Sequence, residues 1–133
     1  MTVSMLTITI PDERPISWNA FYAGSHWSKR KAEKDRVWLV GRAAFPPDGV
    51  HGNGWPAEQR VTIEITAYVK SSPMDADNVC TKLYVDALKG WVIPDDEGKW
   101  VETVIPRVKM DKANPRLEIR INACESELAL VGD

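Results

Sequence analysis

Cysteine and histidine are scarce in this chain, with two of each among 133 residues. Cys80 and Cys124 allow at most one disulfide, too little to staple a secreted scaffold, and neither belongs to a pair spaced for zinc. Both are expected to be reduced thiols. His26 and His51 fall in separate loop-like stretches without ligand spacing, and neither a Ser, His, Asp triad nor a glycine loop of the phosphate-cradling kind is visible. No apolar run approaches the roughly 18 residues of a membrane span, and Met1 to Ile10 lacks a basic flank followed by a long apolar stretch. These absences lead to the expectation of a soluble, cytoplasmic protein that no membrane holds. An excess of charge is missing too: 17 basic against 19 acidic residues leave a net −2, which by itself argues weakly against a non-specific nucleic-acid binder.

What is present is 44% apolar and 27% charged residues, enough for one domain with a real core. That domain is expected to span 1–124, with a short acidic tail, 125–133, that frays. Leu6, Ile8 and Ile10 alternate with threonines, predicting a first strand that ends at Pro11. An aromatic-rich loop containing Trp18, Phe21, Tyr22 and Trp27 should follow, then a helix from about Ser28 to Ala44. The Pro and Gly cluster from Pro46 to Gly54 reads as a surface loop. Val61 to Val69 alternates in the clearest strand pattern of the chain. Asn78 to Gly90 repeats apolar residues at helical steps, with Gly90 as terminator, and strands Val101 to Met110 and Leu117 to Ala123 close the order. The expected fold class is α+β, or mixed α/β: a small domain whose mixed sheet of about four strands carries two main helices.

Charge is distributed unevenly. Between Arg14 and Arg42 seven basic residues face only Glu33 and Asp35, whereas between Asp75 and Glu97 six acids face Lys82 and Lys89. Asp75 and Asp77 stand two apart, so an extended backbone would send both carboxylates to one side, where they could share a cation. On the following helix Asn78, Lys82 and Asp86 fall at i, i+4 and i+8, a polar stripe beside those carboxylates. Asp95 and Asp96 add acids just before a strand. Hard oxygen ligands of this kind suit Mg²⁺ or Mn²⁺. Blander readings stand beside this one: Asp75, Asp77 and Asn78 as a helix start, Lys82 and Asp86 as a solvated pair, Asp95 and Asp96 as a turn. A calcium-binding EF-hand loop fails, because Val79 and Cys80 occupy its fifth and sixth positions.

Together, Asp75-Ala76-Asp77-Asn78, Lys82, Asp86-Ala87-Leu88, Gly90 and Val92-Ile93-Pro94-Asp95-Asp96 with Trp100-Val101 resemble the RusA-like Holliday-junction resolvases, small endonucleases common in bacteria and their phages. The opening strand Thr7 to Pro11, Asn19 and the basic segment that follows fit the same family, so the resemblance covers most of the chain. It implies a homodimeric, Mg²⁺-dependent endonuclease of the bacterial or phage-infected cytoplasm, with Mn²⁺ able to substitute, that places paired nicks in a four-way DNA junction. Carried over by position, Asp75, Asp77 and Asp96 would hold the metal and Lys82 would be the catalytic lysine. Asn78, Asp86 and Asp95 would support them, and Asn19, Lys29, Arg30, Lys31 and Lys34 would contact DNA. One spacing departs from the family's pattern: Lys82 follows Asn78 by four residues rather than three, both steps staying on one helical face. Two other readings stay open, a nuclease of the same fold that cuts flaps or forks, and a non-catalytic dimer that binds junctions.

Overall fold

The computed structural model describes residues 5–22, 26–44, 60–71, 75–90, 92–93 and 98–123. Cys124, His51, Asp95, Asp96, the Pro46 to Gly54 loop and the acidic tail lie outside the described residues. Four strands, β1 (Met5–Pro11), β2 (Val61–Val69), β3 (Val101–Met110) and β4 (Arg116–Ala123), form one sheet in the order β1-β4-β2-β3. The strand β4 runs antiparallel to both neighbours, and β2 and β3 are parallel. A parallel pair needs a crossover, supplied here by the chain that carries a 3-10 turn (Ala76–Asn78) and a helix, α3 (Lys82–Leu88). Between β1 and β2 lie a short helix α1 (Trp18–Tyr22) and the long helix α2 (Trp27–Ala44). The result is a small α+β domain in which two main helices, α2 and α3, pack on a four-stranded mixed sheet.

Period-2 patterning sets the faces of the sheet. Register pairs Ile8 and Ile65 with Ile119, and Leu6 and Ile63 with Ile121, so branched aliphatic side chains stand in rows across three strands. Ile8, Ile63, Ile65, Leu117, Ile119 and Ile121 are all essentially inaccessible to solvent. The edge strand β3 contributes less, with Val104 and Val108 only partly buried, and it tolerates Pro106 because an edge need not donate every N–H. From above, α2 turns Val37, Val40, Gly41 and Ala44 to the core, and α3 adds Leu83, Tyr84 and Leu88. A Cβ at Gly41 would stand 3.2 Å from that of Ala87, so α2 and α3 meet where one residue has no side chain.

Two sequence expectations change. The stretch read as an aromatic loop contains α1, opened by Ser17, whose Oγ accepts the Ala20 N–H at 3.0 Å. The helix read from Asn78 to Gly90 is confined to Lys82–Leu88. Its expected first turn is occupied otherwise: Val79 forms an antiparallel bridge with Ser17, and the Cys80 N–H donates to the Ile16 carbonyl at 3.2 Å. A long-range backbone pairing thus outweighs local helical preference. The helix ends as expected, with Gly90 at φ +71° and its N–H donating to the Ile93 carbonyl at 2.7 Å.

Among the described residues one charged side chain is buried. Glu13 is 6% exposed, and its carboxylate accepts two bonds from the Arg36 guanidinium, both 2.9 Å, and one from the Tyr84 hydroxyl at 2.6 Å. Arg36 also reaches Glu33 at 2.8 Å. Burial first, and then the hydrogen bond to Glu13, push the Tyr84 phenol far above its ordinary range. At the other end of α2, Arg42 donates to the carbonyls of Ala87 and Lys89 at 2.8 and 2.9 Å. Those carbonyls lie at the C-terminus of α3, where backbone acceptors lack partners within the helix.

Two stability measurements follow. Replacing Tyr84 by Phe removes a charge-assisted hydrogen bond and keeps the ring, so urea unfolding should show a loss of about 2 kcal/mol; a change within 0.5 kcal/mol, on the order of an exposed-surface effect, would make the bond energetically idle. Cys80 is fully buried, and burial pushes its thiol from 9.0 up to about 11. Above pH 9 the unfolded chain releases a proton that the folded chain keeps. Stability should therefore decline as pH rises from 9 to about 11. In Cys80→Ala that component of the alkaline slope should vanish; an unaltered slope would assign it to other groups.

Candidate nucleic-acid interface

The acidic motif is a turn, not an extended segment. Asp75 has extended backbone angles, φ −70° and ψ 140°, and immediately precedes the 3-10 turn that contains Asp77. That turn is closed by the Asn78 N–H on the Asp75 carbonyl at 2.9 Å and the Val79 N–H on the Ala76 carbonyl at 3.2 Å. The alternation that would put both carboxylates on one side of a strand is therefore lost, because a 3-10 turn advances about three residues per revolution. Both aspartates are exposed. Asp75 occupies the capping position yet makes no side-chain capping bond, so a helix-start role does not account for it.

Asn78 has a different task from the expected one. It lies outside α3, so it does not share a helical stripe with Lys82 and Asp86. Its Oδ1 instead accepts the Asn19 N–H at 3.3 Å, in the first turn of α1. Asn19 and Asn78, singled out separately in the sequence, are thus joined, and the Ser17 to Val79 bridge holds the same two segments together.

Lys82 opens α3 with its side chain half exposed. Its Nζ is 3.7 Å from Asp86 Oδ2, and Lys89 Nζ is 3.2 Å from Asp86 Oδ1. The latter oxygen is shut off from solvent and meets Lys89 without the alignment of a hydrogen bond. Asp86 therefore sits between two ammonium groups rather than in one solvated pair. Sequence spacing identified Lys82 as its partner and missed Lys89, three residues on.

Across from Lys82 lies the N-terminal half of α2. Arg30, Lys31 and Lys34 join Lys82, Phe21, Tyr22 and Trp27 in lining an open groove bounded by α1, α2 and α3. Among the described residues four cations line it and no acid does. Lys31 also pairs with Asp35 at 3.0 Å, both ends well exposed. Lys29 is exposed on the same helix but does not line the groove. The first turn of α2 carries no acidic residue, and its macrodipole is positive at that end, so the cations stand where helix electrostatics disfavour them. An anion in the groove would relieve that repulsion.

The opposite sheet face offers a contrast. A depression there is lined by Glu64, Thr66, Tyr68, Arg107, Lys109, Glu118 and Arg120, in which Arg107 pairs with Glu64 at 3.2 Å. Arg116 beside it bonds Glu118 at 2.7 Å and stacks over Tyr68 at 3.8 Å. Two carboxylates, Glu64 and Glu118, stand among the cations of this patch, so its field is mixed in sign, although the cations outnumber the acids.

Among the described residues no three His, Cys, Asp or Glu side chains gather as a metal centre. Asp96, the expected third ligand, and Asp95 beside it lie outside those residues. Asp75 and Asp77 are exposed carboxylates, oxygen donors of the hard kind that divalent ions take. In comparisons with known proteins, no family model and no curated protein matches this chain.

Proposed function

We propose that this protein is a divalent-metal-dependent endonuclease that cuts branched DNA, with the four-way junction as its substrate, and that it works as a homodimer. The observation that carries the reading is Lys82. It lines a groove of cations on one side and follows, five residues along the chain, the exposed carboxylate of Asp77. A phosphodiester backbone seeks the first environment and the hydrolysis of one needs the second.

Asp75 and Asp77 would hold Mg²⁺ or Mn²⁺ together with Asp96. Such an ion, when bound, polarises the scissile phosphate and lowers the pKa of a coordinated water. The remaining work falls to the chain's own side chains. Arg30, Lys31 and Lys34 would hold backbone phosphates and fix the strand's path. Lys82 would stabilise charge growing on the phosphoryl oxygens, and Asp86, between Lys82 and Lys89, would restrain its ammonium. The Asn19 to Asn78 bond would keep the acidic turn in register with the groove. A junction has two-fold related strands and each chain carries one acidic turn, so symmetric cutting calls for two chains in a closed dimer.

Cleavage of labelled four-way, three-way, flap and linear DNAs in Mg²⁺ tests the reading. Paired symmetric nicks should appear on the four-way junction, with about twice the monomer mass in light scattering. Preferential cutting of flaps or forks by a monomer would move the assignment to a flap nuclease, and binding without cleavage would leave a junction-binding protein. Asp75→Asn and Asp77→Asn should each lower the single-turnover rate by at least about 100-fold while leaving binding equal or tighter, since each removes a ligand and a negative charge. Lys82→Ala should cost about 100-fold in rate with little change in affinity. An equal fall in rate and binding would make Lys82 a plain phosphate contact.

A further inference from the structure

The cations account for only part of the groove's lining. Aromatic rings complete it, and more of their surface faces solvent than phosphate binding requires: Tyr22 is 51% and Trp27 63% exposed. Exposing large rings is unfavourable unless something covers them. These rings are also restrained. Trp18 stacks on Tyr22 with centroids 5.4 Å apart and planes 5° from parallel, and the buried Phe21 meets Tyr22 edge-on at 4.9 Å. Trp27 opens α2 with its ring tilted 38° against that of His26, centroids 5.7 Å apart, and His26 is itself held, its Nδ1 accepting the Ser28 N–H at 3.2 Å and its carbonyl the N–H groups of Lys29 and Arg30.

We infer that this groove is a binding site for an unpaired nucleotide, whose base stacks on Trp27 and Tyr22 while its flanking phosphates lie along Arg30, Lys31 and Lys34. The inference rests on nucleic acid being the ligand and adds that the strand is recognised single-stranded, by a base taken out of the stack. Held rings beside a row of cations are the elements that single-strand binding combines, because every base offers a π-face and every link a negative charge. An acidic peptide would satisfy the cations and leave the rings exposed. A continuous duplex would offer phosphates alone, its bases being already stacked.

The test measures binding, without divalent metal, of the full chain to a fluorescent eight-nucleotide oligothymidylate and to the same strand carrying abasic sites. Trp27→Ala should weaken the intact strand about tenfold, with an unchanged salt slope, and Trp27→Phe should restore most of the loss. Lys34→Gln should reduce the log-log salt slope by about 0.7, one phosphate contact on a single strand. Circular dichroism and the unfolding midpoint of each variant separate a folding defect from a lost contact. Equal affinity for the abasic strand would overturn the inference. So would an oligoglutamate peptide that binds as tightly and with the same dependence on Trp27. Because binding is read without metal, it is separate from the junction-cleavage assay in Mg²⁺: base-dependent binding with no cleavage in that assay would count against the nuclease alone, and cleavage there with equal affinity for intact and abasic strands against the stacking site alone.

Discussion

The Glu13 carboxylate, buried and held by Arg36 and Tyr84, is the contact on which the arrangement of the helices depends. It joins the segment leaving β1, the middle of α2 and the first turn of α3, which lie far apart in sequence. Arg42 makes a second clamp by donating to the carbonyls that end α3. The helix α2 is therefore tied to α3 at two places, with Val37 and Gly41 packed between them. With its middle and its C-terminal end fixed, the N-terminal half of α2 has one direction in which to run. That direction brings Arg30, Lys31 and Lys34 beside Lys82.

Such a pair is not an economical way to gain stability, since desolvating a carboxylate and a guanidinium offsets much of their attraction. Its geometry explains its use. Two parallel N–H bonds from a planar guanidinium fix distance and angle together, which apolar packing does not. The tyrosine hydroxyl occupies a further lone pair of the carboxylate, so little of the buried charge is left uncompensated. An aliphatic replacement could fill the same volume while letting α2 slide by a turn. A slide of one turn, about 5.4 Å, would separate the α2 cations from Lys82 by more than the width of a phosphate group.

How far this was legible in the sequence follows from which interactions are local. The strands were readable because Ile8, Ile63, Ile65, Ile119 and Ile121 alternate with polar residues, and α2 because its apolar residues recur at helical steps. The early break in the expected Asn78 to Gly90 helix was not readable, since Val79 and Cys80 have helix-compatible spacing and are drawn away by Ser17 and Ile16, some sixty residues earlier. Nor did any pattern mark Glu13, one charge in the polar sequence Asp12-Glu13-Arg14. The available hint lay elsewhere, in a tyrosine placed among the otherwise apolar positions of α3. In the site, residue types were readable and their grouping was not. Asn19 and Asn78 were both singled out but their contact was unforeseen, and Tyr22 and Trp27 gained meaning only when α1 and α2 set them against the cations.

The net charge of −2 can now be reconciled with a groove suited to a polyanion. Several acids are already committed to particular cations: Glu13 and Glu33 to Arg36, Asp35 to Lys31, Glu64 to Arg107, Asp111 and Glu118 to Arg116. A committed acid cancels its partner's field over short distances and contributes little elsewhere, because salt screens exposed charges beyond about 8 to 10 Å. What an approaching strand meets is the local sum. In the groove that sum includes four cations, of which Lys31 is offset by Asp35 and Lys82 in part by Asp86, with no acid among the described lining residues, although the chain as a whole is acidic. Two exposed aspartates, Asp75 and Asp77, stand at the turn before Lys82, where their repulsion of phosphate would be relieved by a divalent ion. Without the ion, the same charges would hold a backbone away from the turn while the groove attracted it. In the proposed reading, binding and hydrolysis would fall to neighbouring regions of opposite sign, and a bound cation would let one strand occupy both.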